Sequence, residues 1–407
     1  MSFQQGLSGL NAASKNLDVI GNNVANTNTV GFKQSQAQFA DVFANSLSGS
    51  GGNQAGIGVK VADIAQQFSQ GSITASNNSL DVAINGSGFY RLSDQGVISY
   101  SRNGQFHPDK DGYIVSSTGL RLTGYSANAT GQITAGSPTD LRISSADLPP
   151  QATTLVSTVL NLDSRETAPL PAPFDFTDPT TYHSFASMPI HDSLGNSSTV
   201  STYFVKTAAN TWDVFASSEG VLLNGGAAFG PLTFLSNGSL DPAGISTFPV
   251  TKTVTTGATD PMVFDLDFTG TTQFGSSFGV NTLTEDGYAS GRLIGFDIGP
   301  DGMLQGSYSS GKFLTLGQVV LANFANPQGL QLRGNNTWAE STTSGAPLVG
   351  APQSGGLGIL QSGAVEDSNV ELTSELVNMI TAQRVYQANA QTIKTQDQLL
   401  QTLVNLR

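Results

Sequence analysis

The chain runs to 407 residues, of which 12% are charged, with 46 glycines, a net charge of −13 and no cysteine. That length gives room for two to four domains, and the charged fraction is about half the usual ~25%, leaving an uncharged surface suited to extensive contact with other protein. Only 17 Lys and Arg argue against nucleic acid and anionic membranes, and the lack of cysteine excludes disulfides, thiolate metal sites and cysteine catalysis.

The N-terminus, MSFQQGLSGLNAASK, has neither a basic start nor an apolar stretch, so it reads as no secretory signal, and no run approaches the ~20 apolar residues of a membrane span. Residues 2–24 predict a helix. Ser2 and Gln5 fit a capping box, and Phe3, Leu7, Leu10, Leu17, Ile20 and Val24 fall on one stripe. Residues 25–33, ANTNTVGFK, stop it with Asn26, Asn28 and Gly31. Residues 44–58 are Gly/Ser-rich and read as a flexible loop; VKVADIAQQ beyond it reads as extended.

From residue 72 the texture turns to short β runs separated by turn dipeptides. Asn85-Gly86, Asn103-Gly104 and Asp111-Gly112 predict hairpins. Breaks follow at Leu148-Pro149-Pro150 and at 168–179. Residues 148–285 again read as short strands, with turns at Gly195-Asn196 and Asn237-Gly238. The first texture returns from 286, with turns at Asp286-Gly287 and Asp301-Gly302.

Residues 369–407 close the chain with a second helix, free of Gly and Pro and opened by a capping box at Ser368 and Glu371. Steps of four and three pick out Leu372, Leu376, Met379, Gln383, Tyr386, Ala390, Ile393, Asp397, Leu400 and Val404, a coiled-coil spacing with two polar intrusions. At ~1.5 Å per residue this helix is roughly 55 Å long, too long to lie across a small globule. The two ends therefore predict low-charge helices that pair as a coiled coil and order fully only when neighbouring copies supply the missing packing.

The expected fold is mixed: long terminal helices plus two nested, antiparallel all-β domains. The expected boundaries are 1–24 with 369–407 for the helical polymerisation domain, and 25–71 with 363–368 for the connection. An inner β domain takes 72–147 with 286–362, and an inserted outer one 148–285. Catalysis finds little support. His107, His183 and His191 stand in turn-rich contexts outside any metal or catalytic spacing, no G-x-S-x-G occurs, and nothing selects one carboxylate pair. No enzyme activity, cofactor or metal is expected.

Several motifs converge on one family. SGLNAASKNLDVIGNNVANTNTVGFK (8–33), LDVAINGSGFYRL (80–92), YSRNGQF (100–106) and the terminal helix (375–407) resemble the axial proteins of the bacterial flagellum: rod, hook and hook-associated. GQVVLANFANPQGL (317–330) and the size of the middle domain resemble the hook member. The resemblance implies an extracellular structural subunit that self-assembles into a curved tube and transmits torque from rod to filament. Its partners would be copies of itself, the rod, the hook cap, the hook–filament junction proteins and a type III export apparatus. It marks Ala25, Asn26, Thr29, Gly31, Phe32 and Lys33 as family motif. The helix stripes, Leu7, Leu10, Leu17, Ile20 and Val24 with Leu372, Leu376, Met379, Tyr386, Ile393, Leu400 and Val404, become the candidate polymerisation surface. The alternatives are a distal rod subunit and a secreted glycan-binding adhesin, the latter needing an exposed aromatic cluster.

Overall fold

The computed structural model describes residues 2–42, 56, 58–134, 136–144, 146–167 and 173–405, with backbone only at Ser2 and 403–405. Most of the 44–58 loop lies outside these residues, as does 168–172 of the Pro-rich break. Two α-helices, α1 (Ser2–Ala25) and α2 (Leu372–Asn405), stand at the two ends, and strands dominate the described residues between them. The chain divides into two compact units: residues 1–144, 295–306 and 314–407 form one, and 145–294 with 307–313 the other.

In the first unit α1 and α2 pack on each other, and α1 also packs on a long hairpin, β1 (Ser35–Val42) with β2 (Gly58–Gln66). The body is an antiparallel sheet in which Phe89–Asp94 pairs with Val97–Ser101, with Arg121–Ser126 and with Leu321–Asn323. Early and late parts of the chain meet here: Ile359–Ser362 pairs with Val82–Asn85, and Ala364–Glu366 with Ile73–Ala75. Aromatic rings fill the core in edge-on contacts, Phe89 to Trp338 at 5.7 Å and Tyr100 to Phe324 at 4.8 Å. The Trp338 indole N–H donates to Gln66 Oε1 at 2.6 Å, fastening the end of β2 to this body.

Asp111-Gly112 and Asp301-Gly302 turn hairpins as expected. Asn85-Gly86 and Asn103-Gly104 do not, because the strands on either side of each pair with other strands and not with each other. Gly104 instead lies against Val82, whose N–H donates to the Gly104 carbonyl at 2.9 Å.

The second unit is a sandwich of two sheets. One carries Thr247–Lys252, Met262–Asp267, Leu155–Asp163 and Thr272–Phe274 in that order. The other carries Ser184–His191, Ser197–Ala208 and Thr211–Ser218. Between them lie Leu160, Ile190, Phe204, Trp212, Phe248 and Phe264, all buried. Pairing here is not antiparallel throughout: Leu155–Asp163 runs parallel to both Met262–Asp267 and Thr272–Phe274. A parallel pair needs a long crossover, and the whole second sheet provides it.

Burial of the tyrosines in the first unit has a consequence at high pH. Tyr90 is fully enclosed, with its hydroxyl donating to the Val82 carbonyl, and burial holds its pKa well above the usual value. Burial, aided by the Glu340 carboxylate that accepts its hydrogen bond at 3.3 Å, pushes Tyr100 up to about 12. In the unfolded chain both ionise near pH ~10. These groups therefore contribute stability that is complete below pH ~10 and is lost as pH climbs through the folded value. The urea midpoint is expected to fall between pH ~9 and pH ~12, and to fall less in Tyr100→Phe. Identical slopes in the two proteins would remove Tyr100 from the account.

Candidate functional site

The two helices run antiparallel, as three contacts show. Asn23 Nδ2 lies 3.4 Å from Glu375 Oε2, Gly9 faces Asn389, and Gly6 faces Ile393. A methyl group placed on Gly9 would stand 2.7 Å from Asn389 Oδ1, so the backbones approach as closely as glycine permits. The buried positions of α2 are Glu375 and Ala382, with Met379, Asn389, Ala390, Ile393 and Gln396 half-buried. On α1 they are Gly6, Ala12, Ala13, Val19, Ile20 and Asn23.

This seam matches the one the four/three spacing predicted only in part: Met379, Ala390 and Ile393 are half-buried, while Leu376, Gln383, Tyr386, Asp397 and Leu400 are exposed. Glu375, Ala382, Asn389 and Gln396 share a repeat of seven that sits one position away from Leu376, Gln383, Ala390 and Asp397. The difference arises because small and amide side chains make the intramolecular contact, while the larger apolar ones are left outward. Of the candidate surface, Ile20 is buried, and Leu10, Leu17, Val24, Met379 and Ile393 are half-buried. Leu7, Leu372, Leu376, Tyr386 and Leu400 are exposed, and the Val404 side chain lies outside the described residues. Val377, Ile380, Val385 and Leu399, outside the predicted stripe, are exposed too, Val377 by 58%. Between α1, α2 and the hairpin lies a groove of about 890 Å³ lined by Ala12, Ile20, Ala37, Phe39, Ala382 and Val385 among others.

The capping box expected at Ser368 and Glu371 does not form, and the Ser2 side chain of the other lies outside the described residues. Ser368 Oγ accepts from the Val370 N–H ahead of a helix that begins at Leu372. The Gln5 side chain donates to the Gly56 carbonyl, tying α1 to the hairpin.

Below the helices, polar side chains splice the segments together. Asn23 bonds both ways to the Ser35 backbone, donating to its carbonyl at 2.8 Å and accepting from its N–H at 2.9 Å. Asn369 accepts from the Gln34 N–H at 2.7 Å and donates to the Gln67 carbonyl at 2.7 Å. Ala25 ends α1, exposed; the Asn26 and Thr29 backbones then turn the chain, Thr29 N–H donating to Asn26 O at 3.1 Å. Gly31, Phe32 and Lys33 are buried.

Lys33 is held in a wholly enclosed ion cluster. Its ammonium lies 2.6 Å from Glu366 Oε1 and donates to the Ser69 carbonyl at 2.7 Å. Arg102 Nε lies 3.0 Å from Glu366 Oε2, out of line for a hydrogen bond. Arg102 also donates to the carbonyls of Gly86 at 3.0 Å and Gly88 at 2.6 Å. Burial lowers the Lys33 pKa; Glu366 opposes that shift and the neighbouring Arg102 adds to it. Sequence reasoning missed Glu366, Asn369 and Glu375 as partners. Charged residues inside otherwise uncharged motifs were the signal available.

The histidines do no joint work. His107 is exposed on a strand, His183 Nδ1 accepts from the Lys206 N–H at 3.1 Å, and His191 lies half-buried on a strand with Glu285 3.5 Å away. His191 is thus not the exposed turn residue the sequence suggested. Among the described residues no group of three or more His, Asp or Glu could hold a metal ion, and no helix is long and apolar enough to cross a membrane.

Comparison with known proteins places this architecture. Residues 3–33 match the family model of the flagella basal body rod protein, and 361–406 that of the flagellar basal body rod FlgEFG protein C-terminal. Residues 83–156 match the flagellar hook protein FlgE/F/G D1 domain, and 161–288 the flagellar basal body protein FlaE D2 domain. The flagellar hook protein FlgE of Escherichia coli K12 is 43% identical over 416 residues, spanning 100% of both chains. The chain belongs to the flagellar hook protein family. FlgE of Salmonella typhimurium LT2 is 44% identical over 415 residues, again across 100% of both chains. That of Borreliella burgdorferi is 32% identical, over 100% of this chain and 99% of its own. The crystal structure of Helicobacter pylori FlgE2 shares the fold, with a TM-score of 0.53 at 12% identity over 71% of this chain and 99% of that one.

Membership in the hook family makes this a structural protein of the bacterial flagellum and of motility. The two terminal matches take in two members of the ion cluster: the N-terminal one ends at Lys33, and the C-terminal one includes the whole last strand, Ala364–Glu366.

Proposed function

We propose that the chain is the hook subunit that polymerises through its terminal helices into a curved, flexible tube, a universal joint carrying torque from rod to filament. The observation that carries this is the set of large apolar side chains left exposed on α1 and α2: Leu7, Leu372, Leu376, Val377, Ile380 and Leu400. Each such side chain covered by a neighbouring copy contributes on the order of 1 kcal/mol, and an assembled tube repeats that gain at every subunit. The helices would form the inner tube around an export channel, with the β units outside them. Low surface charge supports sliding between outer units, since no buried charge pair has to break as each row lengthens and shortens. Identical outer spacings on the two sides of the bend would exclude sliding.

Partners on this reading are the rod, the hook cap, the hook–filament junction proteins and the type III export apparatus. Full-length similarity to proteins named as hook proteins favours this over a rod subunit. The glycan-binding alternative gains one observation, a group of rings at Phe174, Tyr203 and Phe215. Phe174 stacks face to face on Phe215 at 4.2 Å, however, so these rings serve one another. Both tryptophans, Trp212 and Trp338, are buried in separate cores.

The test is electron microscopy of the full chain beside a version lacking 1–24 and 371–407. Curved tubes from the full chain alone are expected. Tubes from the truncated version, or none from either with added seeds, would overturn the reading.

A further inference from the structure

We propose that Lys33, Glu366 and Arg102 form the joint that fixes the direction in which the helical pair leaves the β body of the first unit. One carboxylate serves three stretches of chain. Glu366 Oε1 receives the Lys33 ammonium at 2.6 Å, from the segment that follows α1, and the Gly71 N–H at 3.0 Å, from the segment that leaves β2. Its other oxygen faces Arg102, which is clamped to the body through the Gly86 and Gly88 carbonyls. The Glu366 carbonyl accepts the Gly31 N–H at 2.8 Å, and α2 begins shortly beyond.

A buried ion cluster is poor evidence for stability by itself, because apolar groups of similar size often stabilise as well. What it supplies here is direction. Charge-assisted bonds lose most of their energy when a donor leaves its line. Lys33 Nζ, the Gly71 N–H and Arg102 Nη2 (at 3.4 Å) all donate to Glu366 Oε1, which fixes three segments to one point at the root of both helices. Apolar packing tolerates rotation far better. Two cations around one anion also mean that Glu366 cannot release Lys33 without leaving a buried ammonium unpaired.

The experiment is carried out on the isolated monomer, so it does not depend on the assembly reading. The chain has no cysteine, so two introduced cysteines take spin labels at unique sites. Asn22→Cys on α1 and Asp94→Cys on the body are both exposed, and pulsed dipolar spectroscopy reads the distance between them. A single narrow distribution is expected in the otherwise unchanged chain.

Glu366→Gln keeps the shape and removes the charge. Lys33→Met removes the tie to the α1 segment and leaves Arg102 and Glu366 as a balanced pair, so this variant is expected to fold even if the first does not. In Lys33→Met the distribution should lose its main peak, while the aromatic near-ultraviolet signal of the body stays as before. A distribution of unchanged width in a folded Lys33→Met chain would overturn the proposal and reduce the cluster to a contributor to stability.

Discussion

Replacing Gly31 by valine is expected to detach α1 from the body of the first unit and to lower its stability by several kcal/mol. Gly31 sits at φ +71°, a left-handed conformation that a β-branched residue resists. That conformation costs about 1–3 kcal/mol for a non-glycine residue. A Cβ there would also meet the Asn103 backbone nitrogen at 2.5 Å and the Arg102 carbonyl carbon at 2.8 Å. These are main-chain atoms, which cannot swing aside as a side chain can, so overpacking adds about 1–3 kcal/mol. The hydrogen bond from Gly31 to the Glu366 carbonyl is lost in the displacement. The urea midpoint of the first unit, followed through Trp338 fluorescence, should drop, and the amides of α1 should exchange faster than those of the sheet. A variant with the parent midpoint and parent exchange would show that the segment can be reseated without glycine.

Trp212→Ala should do comparable damage in the second unit and leave the first intact. Trp212 is fully buried, and its indole N–H donates to Gln273 Oε1, joining the two sheets of the sandwich. Truncation removes the largest side chain of that core and leaves a cavity, at a cost of about 3–5 kcal/mol. The abandoned Gln273 oxygen adds to this, although its amide still donates to Asn210 Oδ1 at 3.0 Å. Loss of the second unit's protected amides with those of the first unit retained is the expected exchange pattern. A loss of less than about 1 kcal/mol in unfolding free energy would mean that the cavity refills.

The ends of this chain were the part most readable from residues alone. A run from Leu372 to Asn405 without glycine or proline favours helix, whereas Ser2–Ala25, which holds Gly6, Gly9 and Gly21, was legible from its apolar stripe. Which face turns inward was not. Hydrophobic periodicity points to the face that wants burial, yet here Ala382, Asn389 and Gly9 form the contact and Leu376 and Ile380 stay outside. In an isolated globular chain the two faces coincide.

Turn chemistry divided in a similar way. Asp111-Gly112 joins strands that pair with each other, so local sequence sufficed. Asn85-Gly86 joins strands whose partners lie elsewhere in the chain. Parallel pairing of Leu155–Asp163 was hidden because the alternation of a strand does not state the direction of its neighbour. The ion cluster was hidden by distance along the chain: Lys33 and Glu366 stand 333 positions apart.

That separation bears on the order in which the molecule becomes solid. Unit two is drawn almost wholly from the contiguous stretch 145–294 and has its strands in hand once that stretch exists. Unit one must join residue 75 to residue 364, so its chain ends search across nearly the whole length before they meet, and such distant closures are slow. A polypeptide made or delivered from its first residue onward would therefore carry a folded middle and loose ends until the final segment arrives. On the assembly proposed above, the helical surface would be the last to set, which would delay premature clumping until the subunit is whole.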